Sequence, residues 1–188
     1  GDSITAGTSL PDKDAQRYAT VLQAELRKRL GYDEVTVVSR AVGGARLTDA
    51  RSWVRRDFQG PAPDLVTTLY GYNDKSGLFS AMQFAESLED YLSRVCAITA
   101  GKTAIVPIAT IPGAGPRFVM MDDYAKAVED VADSWQLDCI DLAGALKEKG
   151  RDGLLPLMAD MAHPNAEGHL FMAQTIADFL MERVHEGQ

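Results

Sequence analysis

Apolar residues recur every three or four positions in five stretches of the chain. This spacing is typical of helices that pack one face against a core. The five stretches are 18–30, 47–58, 84–95, 124–131 and 165–184. Gly31 follows the first stretch and is expected to end that helix, because glycine readily takes the left-handed conformation found at helix C-termini.

Short apolar runs between these stretches predict buried strands. The runs are Val35–Ser39, Leu65–Tyr70, Thr103–Ile111 and Leu137–Leu142. Pro107 lies inside the third run and predicts an irregularity or a sheet edge there, because proline has no N–H to donate. Short strands that alternate with helices are typical of a parallel sheet covered on both faces. The pattern therefore predicts a three-layer α/β fold, and it leaves the strand order open.

Length and composition favour a single domain. The chain has 188 residues, of which 46% are hydrophobic, and this is enough for one full core. Two domains would each lie near the lower size limit, so residues 1–188 are expected to form one domain.

Charge and hydropathy limit the partners that we expect. The formal net charge is −8, and the 19 Lys and Arg residues are scattered along the chain. Nucleic-acid-binding domains concentrate such cations on one face, so no nucleic-acid partner is expected. No run of 18 apolar residues occurs, so no membrane span is expected either. Cys96 and Cys139 match no paired-cysteine zinc pattern and are expected to be free thiols.

Four short segments carry polar residues or glycines where a loop should follow a strand or precede a helix. They are Gly1–Gly7, Gly43–Gly44, Gly71–Asp74 and Asp160–Pro164. In an open α/β sheet, the loops at the carboxyl ends of the strands gather at one crevice. We therefore expect these segments, though distant in sequence, to share one cleft.

Ser3 is a candidate nucleophile, and a serine hydroxyl needs an adjacent base to react at neutral pH. The chain has three histidines. His185 lies near the C-terminus, where a solvated surface role is expected, and His169 lies in the first turns of the last helix, at a capping or exposed position. His163 follows Asp160 by three residues, so one turn of chain can bring the carboxylate to the imidazole. That contact would fix the tautomer and leave the other ring nitrogen to deprotonate Ser3.

The same segments offer donors for the negative charge that develops on a carbonyl oxygen during acyl transfer. The N–H of Gly44 suits this task, because glycine has no Cβ to block the substrate. Asn73 could donate through its side-chain amide, or it could instead form an Asx-turn with Asp74. The N–H of Ser3 would be the third donor.

Two other classes of function would use the same residues. A binding module that had lost the chemistry would be expected to lack at least one of Ser3, Asp160 and His163, and all three are present. A metal site could draw ligands from Asp160, His163 and His169, but their spacing matches no metal-binding pattern. Ester hydrolysis measured with and without a chelator separates the three classes.

Together the four segments resemble the sequence blocks of the GDSL/SGNH hydrolases. The matching residues are Gly1–Thr5, Gly44, Gly71–Asp74 and Asp160–His163, in the family's order and across nearly the whole chain. The resemblance implies a flavodoxin-like α/β/α sandwich with strand order 2-1-3-4-5. It also implies a catalytic triad of Ser3, His163 and Asp160. Ser3, Gly44 and Asn73 would form the oxyanion hole, and neither a metal nor an organic cofactor would take part.

Three features depart from the family's pattern. Ser39 and Arg40 stand where the second block often has an asparagine, which leaves open whether Gly43 or Gly44 is the oxyanion donor. Tyr72 stands at a position that is usually small. As a substrate-binding residue it would narrow the acyl side of the cleft; alternatively, its ring packs against a neighbouring helix. Finally, the strand that should precede the nucleophile is not among the 188 residues.

This missing strand leads to an expectation about what precedes Gly1. A sheet without its central strand leaves backbone groups unpaired, and each such buried group costs roughly 1–3 kcal/mol. We expect five to eight apolar residues upstream of Gly1 to form the strand. They would belong to a longer natural protein with an upstream domain, for example a β-sandwich.

We expect the protein to hydrolyse acyl esters through a serine acyl-enzyme, with acetyl groups on carbohydrate as the preferred substrate. The acidic composition and the absence of a long apolar stripe near the motifs argue against an enzyme of lipid interfaces. Lysophospholipase or thioesterase activity is the alternative within the same class.

Overall fold

The computed structural model describes residues 1–186. Within this range the chain forms ten α-helices and two paired β-strands, with 3₁₀ turns at Gly115–Phe118 and Leu155–Leu157. The elements are α1 (Ser3–Ala6), α2 (Lys13–Gln16), α3 (Tyr18–Leu30), α4 (Leu47–Asp57), β1 (Leu65–Thr68), α5 (Tyr72–Ser76), α6 (Ala81–Thr99), β2 (Ala104–Pro107), α7 (Asp122–Ser134), α8 (Leu142–Lys147), α9 (Gly150–Leu154) and α10 (Ala166–Glu186).

The five helices predicted from apolar spacing are present as α3, α4, α6, α7 and α10. In α3, Tyr18, Leu22 and Leu26 recur at helical spacing and are buried. Gly31 ends α3 with φ 61°, and its N–H donates to the carbonyl of Arg27. The predicted stop signal is therefore confirmed at this glycine.

The two strands β1 and β2 are parallel. Their Cα partners run from Leu65 and Ala104 to Thr68 and Pro107. Pro107 is the last residue of β2, so its missing N–H falls where the ladder ends rather than in its middle. The predicted strand Thr103–Ile111 is thus longer than the observed one, although the N–H of Ile108 still donates to the carbonyl of Thr68 over 2.9 Å.

The run Leu137–Leu142 contributes only one parallel bridge, between Ile140 and Ile108. The predicted strand is cut short because Leu142 already begins α8, whose N-terminus is capped by the side chain of Asp141. The bridge still extends the sheet beyond β2.

The predicted strand Val35–Ser39 is wrong: this segment is not part of the sheet. Its backbone is bound by side chains of α3 instead. Arg27 Nε donates to the carbonyl of Val35 over 2.8 Å, and the N–H of Val37 donates to Gln23 Oε1 over 2.9 Å. Among the described residues β1 has a strand neighbour on one side only, so its other edge is open.

The helices pack in two groups, α3 against α10 and α6 against both α4 and α7. This is an α/β fold in which helices flank a parallel sheet. Buried residues of both groups belong to one hydrophobic core. The largest fully buried side chains of that core are Tyr124, Phe84, Leu47, Leu69, Leu88, Leu92, Ile108, Ile111, Ile140, Leu142, Leu146 and Leu154. Cys96 and Cys139 are free thiols, as predicted. No helix within residues 1–186 is both long enough and apolar enough to cross a membrane.

The loops that leave β1 and β2 lie at the same edge of the sheet, because the strands are parallel. Thr110 Oγ1, after β2, donates to the carbonyl of Tyr70, after β1, over 2.6 Å. Gly71 lies directly on this contact: a Cβ at position 71 would come within 2.7 Å of Thr110 Oγ1. The loop that leads to Asn73 is therefore fixed against its neighbour.

Candidate active site

Ser3 is the first residue of the short helix α1. Asp2 caps that helix, since its Oδ1 accepts the N–H of Ile4 over 2.9 Å, and Gly7 closes it with φ 71°. No residue in the described part of the chain accepts a hydrogen bond from the Ser3 N–H. The Ser3 N–H is therefore available at the helix start.

The structure brings Ser3, His163 and Asp160 into one hydrogen-bonded chain. His163 Nε2 lies 3.0 Å from Ser3 Oγ. On the other side of the ring, Nδ1 lies 2.9 and 3.1 Å from the two carboxylate oxygens of Asp160. With the proton on Nδ1 bound to the carboxylate, Nε2 accepts the serine hydroxyl hydrogen, which is the arrangement that general-base catalysis requires.

Asp160 is held in its charged form by its own loop. Partial burial would raise the pKa of this carboxyl, but the N–H groups of Ala162 and His163 and the imidazole together lower it to about 2. The two N–H groups donate to Oδ1 over 2.7 and 2.8 Å. The carboxylate is therefore ionised at neutral pH and stabilises a positive charge on His163.

The turn that contains Gly43 and Gly44 is bonded to the start of the chain. The N–H of Val42 donates to the carbonyl of Gly1 over 3.0 Å, and the N–H of Ala45 closes the turn onto the carbonyl of Val42. Gly44 has φ 78°, a conformation that favours glycine. A Cβ on Gly43 would lie 3.9 Å from Ser3 Cβ. Within residues 1–186 neither glycine N–H has an acceptor, so both are free to bind a ligand, and the distance to Ser3 Cβ places Gly43 beside Ser3.

Asn73 reaches the same place from α5. Its Nδ2 donates to Asp2 Oδ2 over 3.2 Å and to the carbonyl of Ala45 over 3.1 Å. Both amide hydrogens therefore have protein acceptors in the free protein. Asp74 serves a different purpose, since its Oδ1 accepts the N–H of Leu47 at the start of α4.

Asp2 is a site residue that the sequence reasoning passed over. It is only 1% exposed, and burial raises its pKa to about 6. By bonding both the N-terminus of α1 and the amide of Asn73, it fixes the candidate nucleophile against a candidate donor. Its place between Gly1 and Ser3 in the first block was the one available signal.

Comparisons with known proteins identify the family and the fold. A model of the GDSL-like lipase/acylhydrolase family matches residues 1–170. The chain belongs to this family. As a family member it is a carboxylic ester hydrolase.

Solved structures with the same fold include a lipase/acylhydrolase from Enterococcus faecalis, with TM-score 0.80, 22% identity and coverage of 97% of this chain and 93% of that one. The acetylxylan esterase Axe2 from Geobacillus stearothermophilus has TM-score 0.79 and 20% identity, covering 94% of this chain and 89% of that one. The α/β hydrolase LAE5 from the metagenome of Lake Arreo, Spain, has TM-score 0.76 and 21% identity, with 94% and 90% covered. No curated protein matches the sequence.

In this hydrolase, the side chain of Tyr72 points into the structure. It is 8% exposed, and its hydroxyl donates to the carbonyl of Met161 over 3.1 Å. The guanidinium of Arg117 lies 5.9 Å from its ring centroid. Tyr72 thus contacts the loop of Asp160 and His163.

The expected exposed or capping position of His169 is wrong, because the residue is 1% exposed. Its Nδ1 accepts the N–H of Tyr18 over 3.1 Å, and the two rings stack with centroids 6.0 Å apart. Burial lowers the pKa of His169 to about 4. His185 is exposed on the last turn of α10, as predicted. No group of three or more His, Cys, Asp or Glu side chains in residues 1–186 is placed to hold a metal ion.

Two surface cavities of the hydrolase lie away from Ser3. One of about 430 Å³ lies between α6 and α7, and one of about 420 Å³ lies where α5 meets α6. Neither is lined by Ser3, His163 or Asp160.

Proposed function

We propose that the protein hydrolyses short acyl esters, acetyl esters of carbohydrate above all, through an acyl-enzyme on Ser3. The observation that carries the proposal is the hydrogen-bonded chain from Ser3 Oγ through His163 to Asp160, with separations of 3.0 and 2.9 Å. A serine without such a base is a poor nucleophile at neutral pH.

In the acylation step, His163 Nε2 takes the Ser3 proton while Oγ attacks the ester carbonyl. The tetrahedral intermediate collapses, the C–O bond to the alcohol breaks, and His163 gives its proton to the leaving alkoxide. Water then attacks the acyl-enzyme with His163 again as base, which releases the carboxylic acid and restores Ser3. Asp160 keeps Nδ1 protonated throughout and stabilises the imidazolium.

The developing oxyanion would be bound by the N–H groups of Ser3 and Gly44, which have no protein acceptor among the described residues. Asn73 would be the third donor. One of its amide hydrogens, which bond Asp2 and the carbonyl of Ala45 in the free protein, would also bond the oxyanion. Removing a single oxyanion donor typically costs about 10²–10³ in kcat. Because the hydrogens of Asn73 are already engaged, its share is expected to be at the lower end.

The openness of the site supports a small acyl group on a bulky polar alcohol. The side chain of Asp160 is 52% exposed and that of His163 24%, and Gly43 and Gly44 are exposed. A long acyl chain gains its binding energy by burial in an apolar pocket. The acetylxylan esterase with the same fold acts, as its name says, on an acetylated polysaccharide.

The decisive variant is Ser3→Ala, assayed with p-nitrophenyl acetate. We expect kcat to fall about 10⁶-fold, because the step has lost its nucleophile. Ser9→Ala is the matched control. It makes the same substitution six residues further along the chain, and we expect it to leave kcat unchanged. More than a few per cent residual turnover in Ser3→Ala, with native circular dichroism, would reject Ser3 as the nucleophile. A chelator should not change the rate of hydrolysis. Inhibition by the chelator would favour a metal site.

Acyl length separates the leading substrate class from lysophospholipase or thioesterase activity. Met161, beside Asp160, is 42% exposed and gives the longer-chain alternative an apolar contact. We expect kcat/KM on p-nitrophenyl esters to fall from acetyl to octanoyl, and acetylated xylo-oligosaccharides to be deacetylated. A rise toward octanoyl would favour the alternative.

A further inference from the structure

Tyr72 links the two halves of the site. Its hydroxyl donates to the carbonyl of Met161, which lies in the loop between Asp160 and His163. Tyr72 itself begins α5 and directly precedes Asn73. One side chain therefore joins the helix that carries a candidate oxyanion donor to the loop that carries the candidate base.

The carbonyl of Met161 is held from a second side as well. The N–H of Ala114 donates to it over 3.0 Å. Gly113 leaves room for both bonds, because a Cβ at position 113 would lie 2.3 Å from the Tyr72 hydroxyl and 2.7 Å from the Met161 carbonyl oxygen. A turn of this peptide would break two hydrogen bonds at once, so its orientation is fixed by residues outside the loop.

The rest of the loop bonds mainly to itself. Asp160 accepts the N–H groups of Ala162 and His163, and the N–H of Ala159 donates to the carbonyl of His163 over 2.8 Å. Apart from the contact of His163 with the nucleophile, segment 159–163 bonds to the rest of the described chain only through the carbonyl of Met161.

The environment of Tyr72 suits a donor with a fixed direction. The residue is 8% exposed, and burial raises the pKa of its phenol, so the hydroxyl keeps its proton. A carbonyl can only accept, so the proton must point at Met161. The guanidinium of Arg117 lies over the ring, 5.9 Å from its centroid.

We infer that Tyr72 is a positioning residue whose hydroxyl sets the Asp160–His163 loop against Ser3. This inference rests on the proposed ester hydrolysis. The sequence-based prediction is that Tyr72 narrows the acyl side of the cleft. The two roles depend on different atoms of the side chain. Positioning depends on the hydroxyl alone, whereas a wall of the cleft depends on the ring.

Tyr72→Phe and Tyr72→Gly distinguish the two roles. We expect Tyr72→Phe to lower kcat on p-nitrophenyl acetate about five- to tenfold with KM within about twofold, because one hydrogen bond to the loop is lost. The preference for acetyl over butyryl and hexanoyl esters should stay unchanged in both variants. Tyr91→Phe is the control: Tyr91 is also 8% exposed and lies outside the site, so wild-type kinetics are expected.

Two further measurements keep a structural effect apart from positioning. In an Asp160→Asn background the base is already impaired, so adding Tyr72→Phe should cost less than twofold, whereas a general loss of stability would cost the same in both backgrounds. If Tyr72→Phe does not fold at the assay temperature, Gly113→Ala perturbs the same contact, because its Cβ would press on both the Tyr72 hydroxyl and the Met161 carbonyl oxygen. A similar kcat loss supports the inference, and wild-type kcat overturns it.

The outcomes are distinguishable from failure of the proposed function. Wild-type protein with no Ser3-dependent hydrolysis would reject the proposed function itself. Active wild type with unchanged kinetics in Tyr72→Phe would overturn only the positioning role. An altered chain-length profile in Tyr72→Gly, with Tyr72→Phe silent, would assign Tyr72 to the acyl side of the cleft instead.

Discussion

Asp160 holds its own loop as well as His163. Its Oδ1 accepts two backbone N–H groups, and its Oδ2 faces Nδ1 of the imidazole at 2.9 Å. An asparagine at position 160 would keep the backbone bonds but turn an NH₂ group toward the ring. The ring would then carry its proton on Nε2, where it cannot accept the proton of Ser3.

We therefore expect Asp160→Asn to lower kcat about 10⁴-fold and His163→Ala about 10⁶-fold, since the first leaves a base of the wrong tautomer and the second removes the base. Steady-state hydrolysis of p-nitrophenyl acetate measures both, with Ser3→Ala as the floor. Because the pKa of Asp160 is about 2, this carboxylate stays ionised in every assay above pH 4. A nearly silent His163→Ala with a severe His169→Ala would identify a different base.

His169 makes stability, rather than activity, depend on pH. Burial lowers its pKa from 6.5 to about 4. Unfolding exposes the imidazole. At a pH between these two values, the unfolded chain therefore binds a proton that the folded protein does not bind. The folded state therefore loses stability as pH falls from 6.5 to 4, and no further below.

His169→Asn keeps an acceptor for the N–H of Tyr18 but removes the titrating ring. The free energy of unfolding of the wild type falls between pH 7 and pH 4. We expect this fall to be smaller by about 2–3 kcal/mol in the variant. Urea unfolding at both pH values measures the difference. Parallel pH dependence in the two proteins would show that other groups cause the loss.

At the scale of elements, helices were easier to predict than strands. The hydrogen bonds of α3 lie within the segment, so apolar spacing and Gly31 are enough to define it. Val35–Ser39 keeps the alternating burial of a strand, with Val38 62% exposed, yet no strand within residues 1–186 pairs with it. Strand propensity reports that a segment fits a half-buried pleated surface. Whether a partner strand lies beside it is a property of other parts of the chain.

The open edge of β1 can be tested for its ability to pair with a further strand. We expect an extension of five to eight apolar, β-branched residues ahead of Gly1 to pair with this edge and raise Tm by about 10 °C, as several kcal/mol of backbone pairing would. An extension of equal length with alternating Gly and Pro is the control, since proline cannot donate to a ladder. Thermal unfolding followed by circular dichroism compares them. Equal Tm values for the two extensions would show that the edge does not accept a strand.

For the whole molecule, the meeting of distant segments was predictable, because loops at the carboxyl ends of parallel strands share one crevice. Ser3 and His163, 160 positions apart, come within 3.0 Å. The hydrogen bonds that surround the Ser3–His163–Asp160 chain were not predictable in this way. The sharing of the Asn73 amide between Asp2 and Ala45, and the bond from Tyr72 to Met161, depend on how side chains from different loops pack. No local pattern in the sequence records such contacts.

The two halves of the site are anchored to different degrees. The start of the chain, the glycine turn and Asn73 are joined by three hydrogen bonds between segments. The loop of His163, apart from its contact with Ser3, is bonded to the rest of the described chain at one carbonyl. Local opening of a weakly tied loop needs far less free energy than melting a core. Warming should therefore disconnect the base while the fold is still intact, and cooling should restore it. The highest temperature at which the enzyme turns over would then depend on the hydrogen bonds of the Met161 carbonyl. Stabilising the hydrophobic core would not raise that temperature.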